Sequence, residues 1–135
     1  MAFTALLEFG DNNIKRYSKS YMVADCQFVF ERPCNQYAPE GAAKCERIEL
    51  EVIAPGREDL GLYEWYSAQS VQNGRLTIDI NNGGASDTDV QTLYFEEARC
   101  FRLSEYYDIS TSRRRMIKLA IIAEEVSLDD IRFVR

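Results

Sequence analysis

The chain has 135 residues, 16 basic and 22 acidic side chains, a net charge of −6 and no histidine. That is the length of one domain, residues 1–135, large enough to bury a core without disulfides or a structural metal. The acidic balance without a basic stripe sets nucleic acid aside as a partner, and the missing histidine excludes Ser-His and Cys-His nucleophiles. No stretch approaches the ~20 apolar residues of a membrane span. The N-terminal Met1-Ala2-Phe3-Thr4-Ala5-Leu6-Leu7-Glu8 lacks the basic-then-apolar order of an export signal. We therefore expect a cytoplasmic chain with no membrane insertion and no Sec-type signal.

Phe3, Ala5, Leu7 and Phe9 alternate with Thr4 and Glu8, which predicts a first strand ending in a hairpin turn at Gly10-Asp11-Asn12-Asn13. Ile14 to Tyr17 leads through a kink at Ser18-Lys19-Ser20 into a long strand. There Met22, Ala24, Cys26, Phe28 and Phe30 are expected on the buried face, with Asp25, Gln27 and Glu31 on the wet one. A loop with two prolines and a glycine, Arg32 to Gly41, rules out a tight two-residue turn. A third strand follows, with Ile48, Leu50 and Val52 inward and Arg47, Glu49 and Glu51 outward, stopped by Pro55-Gly56.

From Asp59 the period changes. Leu62 and Tyr66 stand four apart beside Tyr63 and Trp65, predicting the one helix, about three turns long, with Asn73-Gly74 as its left-handed stop. Leu76, Ile78 and Ile80 predict a short strand before the turn-rich Asn81 to Asp87. In Leu93, Phe95, Ala98 and Cys100 the apolar positions switch from odd to even, the signature of a bulge near Glu96-Glu97. Tyr106-Tyr107-Asp108 and Ser110-Thr111-Ser112 read as a loop before a last long strand with Ile117, Leu119, Ile121 and Ala123. Asp129 to Arg135 fits either a short strand or a tail. Six or seven strands in hairpin-like succession with one helix predict a mainly β fold, an antiparallel barrel or sandwich with a flanking helix.

The candidates for chemistry are few. The acidic pairs Glu96-Glu97, Glu124-Glu125 and Asp129-Asp130 offer carboxylates for general acid and base work. Neighbours on a strand point to opposite faces, however, so a solvated surface is the expectation. Cys26, Cys34, Cys45 and Cys100 show no metal-ligand spacing. Cys26 and Cys100 are expected as buried small side chains, Cys34 and Cys45 as free thiols flanking the long loop. Tyr63, Trp65 and Tyr66 offer a sugar-stacking platform, although aromatics at helical spacing are more often core. Arg113-Arg114-Arg115 is the one basic patch, read as a solvated strand end or as a salt-bridging contact to an acidic neighbouring subunit. No catalytic, metal-binding or cofactor-binding residue is assigned, which favours an assembly or binding protein over an enzyme.

The order of the pieces carries more than any one of them. A strand ending at Arg32-Pro33, a loop, Ile48-Glu49-Leu50-Glu51-Val52, Leu62-Tyr63-Glu64-Trp65, Asn73-Gly74-Arg75-Leu76, Leu93 to Cys100 and Met116 to Glu124 together resemble the tube protein of bacterial type VI secretion, the haemolysin-coregulated protein family, in a divergent branch. The departures are Glu31 where a glycine is expected before Arg-Pro, and Ala42-Ala43-Lys44-Cys45 in place of a glycine-rich entry to the next strand.

The resemblance implies a β-barrel with one helix, six copies closing into a ring, and rings stacking into a hollow tube. That tube is built inside a sheath, capped by a spike protein, able to carry effector cargo, and secreted through the type VI apparatus. Ring stacking is then expected to fall on Arg32, Pro33, Tyr37, Pro39, Glu40 and Lys44, with Arg113, Arg114 and Arg115 as an interface charge patch. The competing readings are a small-ligand-binding barrel of lipocalin-like size and a carboxylate-dependent hydrolase.

Overall fold

The computed structural model describes residues 4–32, 41, 43–79, 90–109 and 114–135. Seven strands and one helix follow in the order β1 (Thr4–Asp11), β2 (Arg16–Glu31), β3 (Lys44–Ile53), α1 (Gly61–Ala68), β4 (Gln72–Asp79), β5 (Val90–Asp108), β6 (Arg114–Leu128) and β7 (Ile131–Val134). Every pairing is antiparallel, in the sheet order β3-β2-β1-β4-β5-β6-β7. A further pairing of β3 with β6, from Ile48↔Ile121 to Ile53↔Met116, closes the first six strands into a barrel. Closure leaves those strands no open edge over the paired length. Its interior is filled by Leu7, Ile48, Val52, Leu76, Leu93, Phe95, Ile117 and Ile121, and no buried charged or polar side chain interrupts it among the described residues.

The alternation in β3 and β6 stands as expected, and the phase switch in β5 is present. Phe95 and Ala98 are both buried, Glu97 has φ 52°, and pairing with β4 shifts register opposite it. In β2 the inward set differs from expectation. Tyr21 and Val23 are buried, while Met22 is 57% exposed and Ala24 is also on the outside. The register steps from Val23↔Val52 to Asp25↔Glu51, so Ala24 is the extra residue of a bulge, and only beyond it do Cys26, Phe28 and Phe30 turn toward the core. The kink at 18–20 is a second bulge: Phe9 pairs with Lys19 and Gly10 with Tyr17, leaving Ser18 over.

The helix is shorter than its sequence suggests, eight residues from Gly61. Leu62 and Trp65 are its buried pair, three apart, while Tyr66 faces solvent. It stops at Gln69, which takes the left-handed conformation at φ 54° and whose carbonyl accepts from Arg99 Nη1 at 2.6 Å. Asn73 and Gly74 belong to β4. Their signal was for a close approach: a Cβ on Gly74 would lie 2.1 Å from the Glu8 carbonyl oxygen and 2.8 Å from Phe95 Cζ. Tyr106 to Asp108, expected in a loop, continue β5 and pair with Arg114 to Met116, as suits aromatic side chains on a pleated surface. The C-terminal residues form β7, not a tail.

Two consequences are testable. Gly74→Ala presses a methyl into backbone and should lower the unfolding free energy by about 1–3 kcal/mol, seen as a lower urea midpoint; an unchanged midpoint would show that β1 and β4 separate without cost. Asp59 Oδ1 accepts from the Gly61 N–H and from Lys19 Nζ, both at 3.0 Å. The Gly61 amide first, then Lys19, holds its carboxyl below the usual range. Since the folded-state value is depressed, this contribution is complete above the unfolded value near pH ~4 and is lost as pH falls through the folded one. Asp59→Ala should cost about 1 kcal/mol at neutral pH, and its melting curves should converge on the parent's below about pH 4. A gap undiminished in strong acid would contradict the assignment.

Candidate assembly surfaces

Of the residues expected to stack, Arg32 and Lys44 are described and flank the loop, while Pro33, Tyr37, Pro39 and Glu40 lie outside the described residues, as do Cys34 and Arg113. The flanks of the loop meet β7. The Phe30 and Phe133 rings lie 4.7 Å apart, and Arg135 Nη2 donates to the carbonyls of Glu46 at 2.7 Å and Cys45 at 3.4 Å. β7 runs along the edge of β6 from Leu128 back to Glu125, and β3 occupies the same edge from Ile121 to Met116. The loop base is thus pinned at the C-terminal end of β6.

A concave basin lies at that same end, lined by Asn12, Lys15, Tyr94, Glu96, Glu125, Asp129, Asp130 and Arg132 among others. Each acidic pair of the sequence sends at least one member here, although no strand neighbours converge. Sequence reasoning missed this gathering because it compared each carboxylate only with its neighbour in the chain. Asn12 Nδ2 donates to Glu96 Oε1 at 3.2 Å, and Arg132 pairs with Glu125. Lys15 Nζ donates to the Tyr94 hydroxyl at 3.0 Å, a bond that lowers the Tyr94 pKa and raises that of Lys15. Two of its carboxylates are engaged this way and its rim is open to solvent, so the basin is a charged surface of mixed sign.

At the N-terminal end of β6 the arginines separate by strand alternation. Arg115 turns inward, its Nε 3.4 Å from Glu105 Oε1 and its Nη2 donating to the Pro55 carbonyl at 2.9 Å. Arg114 is exposed. The Tyr63 hydroxyl donates to Glu105 at 2.7 Å, so the flank of the helix is tied to the base of the β5–β6 hairpin. Trp65 is core, its indole N–H donating to the Ala98 carbonyl at 3.1 Å. The aromatic trio therefore divides between core, clamp and surface, and forms no sugar platform.

Two unlike walls remain on the sides of the barrel. Across β2-β1-β4-β5 the outward row Met22, Leu6, Thr77 and Thr92 is uncharged. Across β2-β3-β6-β5 a shallow trough of about 360 Å³ is lined by Asp25, Glu49 and Glu51 on one bank and Arg102 and Lys118 on the other. Cys45 and Cys100 are buried free thiols pushed up to about 11 by desolvation, and Cys26 is half-buried and also raised. No group of three or more Cys, Asp or Glu side chains among the described residues is placed to hold a metal ion. Among those residues no helix is long and apolar enough to cross a membrane.

The same fold is known from other proteins. The fold is similar to that of Hcp1 from Flavobacterium johnsoniae, at TM-score 0.78 and 18% identity over 98% of this chain and 99% of that one. It is also similar to the secreted protein Hcp3 from Pseudomonas aeruginosa, at TM-score 0.61 and 9% identity over 94% and 90%. A chain of the anti-feeding prophage baseplate matches at TM-score 0.57 and 15% identity over 95% and 93%. No curated protein sequence matches significantly. The profile of the hemolysin coregulated protein Hcp (TssD) family covers residues 1–135. The chain belongs to that family, the tube subunits of type VI secretion.

Proposed function

We propose that six copies of this chain close into a ring through the two unlike side walls and that rings stack through the poles, giving the inner tube of the secretion apparatus. The observation that carries this reading is the full-length family match on a barrel whose interior is filled and whose conspicuous features are all on its outside. A ring contact is heterologous, so one subunit must offer two different faces. The uncharged row centred on Leu6 and the bipolar trough opposite are two such faces. The tube would be assembled in the cytoplasm within a sheath, capped by a spike protein, loaded with effector cargo and secreted whole, a role that calls for no catalytic group.

The stacking surface we assign to the loop of residues 32–44, whose base is held against β7. Its length, its prolines Pro33 and Pro39, and Tyr37, a residue type that often anchors interfaces, motivate the assignment. Each subunit carries −6, so attraction between rings must come from local apolar and opposite-charge contacts against a repulsive background.

Light scattering of the purified protein should show a species about six times the 15.6 kDa of one chain, with rings visible by electron microscopy; a monomer that persists at millimolar concentration would sink the ring. Tyr37→Ala with Arg32→Glu should leave the melting transition in place and shorten tubes. An anchor of this kind is worth ~2 kcal/mol, roughly thirtyfold in each stacking equilibrium. Tubes of parental length would remove the loop from the stacking surface.

A further inference from the structure

We propose that Tyr94 is a modification site: its phenol takes an acyl group from a neutral activated acyl compound ahead of the other tyrosines and the cysteines among the described residues. Tyr94 stands half-buried on the outer face of β5, paired across the strands with Arg75 of β4 and Ser127 of β6. Two cations flank it. Lys15, the last residue of the β1–β2 turn, lies with Nζ 4.9 Å from the ring centroid and donates to the hydroxyl at 3.0 Å. Arg75 is held in place on the other side, its Nε 2.9 Å from Glu8 Oε1 and its guanidinium 4.2 Å above the Tyr17 ring. Tyr17 is fixed in turn, its hydroxyl donating to Asn12 Oδ1 at 2.7 Å.

A phenol attacks an acyl carbon as the phenolate, and a fixed positive charge beside the oxygen favours that form. The hydrogen bond from Lys15 first, then its charge and the guanidinium of Arg75, hold the Tyr94 hydroxyl below the usual phenol range against the effect of burial. The alternatives move the other way. Burial raises Tyr17, Tyr21 and Tyr63, and desolvation holds up the thiols of Cys26, Cys45 and Cys100. Lys15 itself is raised by its bond to Tyr94 and stays an ammonium. Charges on the surrounding elements set the class of donor. Glu8 of β1 is engaged by Arg75, while Glu96 of β5, Glu125 of β6 and Asp129 and Asp130 of the final turn line the basin with Tyr94, beside Arg132 of β7. Those carboxylates repel an anionic donor such as a phosphoric anhydride, which leaves a neutral acyl compound as the electrophile. In the step the phenolate oxygen bonds to the acyl carbon and the bond from that carbon to its leaving nitrogen or sulfur breaks. The phenol gives its proton to water, and the leaving group takes one up. The chemistry needs neither a ring nor a tube.

N-acetylimidazole, a small neutral acyl donor, tests this on the full-length protein near neutral pH, with the acetylated residues located by mass spectrometry of peptides. Tyr94 should acetylate about threefold or more faster than Tyr107. Tyr107 is 64% exposed, so accessibility alone predicts the opposite order. Hydroxylamine should strip the label, because it cleaves a phenyl ester and spares the amide that an acetylated lysine would carry. Lys15→Gln should slow Tyr94 to the rate of Tyr107 or below and move the midpoint of its rate–pH profile upward, while the melting transition holds. Lys15→Arg, which keeps the charge, should recover most of the parental rate. The proposal is overturned if Tyr94 of the folded parent reacts no faster than Tyr107, if a folded Lys15→Gln variant keeps the parental rate and pH profile, or if Lys15→Arg behaves like Lys15→Gln. Should Lys15→Gln fail to fold, the parental order of Tyr94 and Tyr107 decides alone.

Discussion

The bulge in β5 between Phe95 and Ala98 is the constraint around which the rest of the barrel is fitted. A strand that shifts register leaves backbone groups with no ladder partner, and buried ones must be satisfied. Here each finds a side chain from a different element. The Phe95 carbonyl accepts from Asn12 Nδ2 at 3.1 Å, the Glu97 N–H donates to Asn73 Oδ1 at 2.7 Å, and the Ala98 carbonyl accepts from the Trp65 indole at 3.1 Å. One irregularity therefore fastens the β1–β2 turn, the start of β4 and the helix to a common segment. Phe9, with edge contacts to Tyr21, Trp65 and Phe95 at 5.1–6.1 Å, fills the space beneath. Gly74 is glycine because β1 and the Phe95 ring close in on it from both sides.

The same bulge accounts for the shape of the molecule's ends. Below it β5 and β6 run on as the hairpin that carries Tyr107 and Arg114. Tyr94 above it and Glu96 within it turn toward the β6–β7 corner and the acidic basin. β6 is long enough to serve two neighbours on one edge, β3 over its first half and β7 over its second, and Arg135 bridges the seam by donating to the Cys45 and Glu46 carbonyls. Without β7 the second half of β6 would present bare ladder groups beside the loop, an open edge of the kind that invites mispairing.

Legibility in the sequence followed the reach of each signal. Strict alternation located β3 and the inner half of β6, and a phase break located the β5 bulge, because both are written in consecutive residues. The bulge at Ala24 left no such trace. Met22, Ala24 and Cys26 continue an apolar alternation through it, and only the burial of Tyr21 and Val23 reveals the switch. Asn73-Gly74 has the composition of a helix stop, yet the asparagine is there for the Glu97 amide and the glycine for Glu8 and Phe95, partners 21 residues and more away. The true stop, Gln69, is a residue type with little left-handed preference and so carries no local mark. The basin was invisible for a related reason, since its carboxylates come from three pairs spread across β5, β6 and the final turn.

What remains outside is a distribution of charge that the fold itself does not need. The described ion pairs within the chain are all at least partly solvent-exposed, and pairs of that kind contribute little to stability. The apolar interior holds the fold without them. Asp25 and Glu51 face Lys118 across the trough without ion pairing to it, while Asp129 and Asp130 crown one pole and Arg114 the other. In an isolated subunit such groups are simply hydrated. In a stack they cannot be neutral bystanders, because a net −6 repeated at every level raises the cost of each addition unless some contacts are attractive.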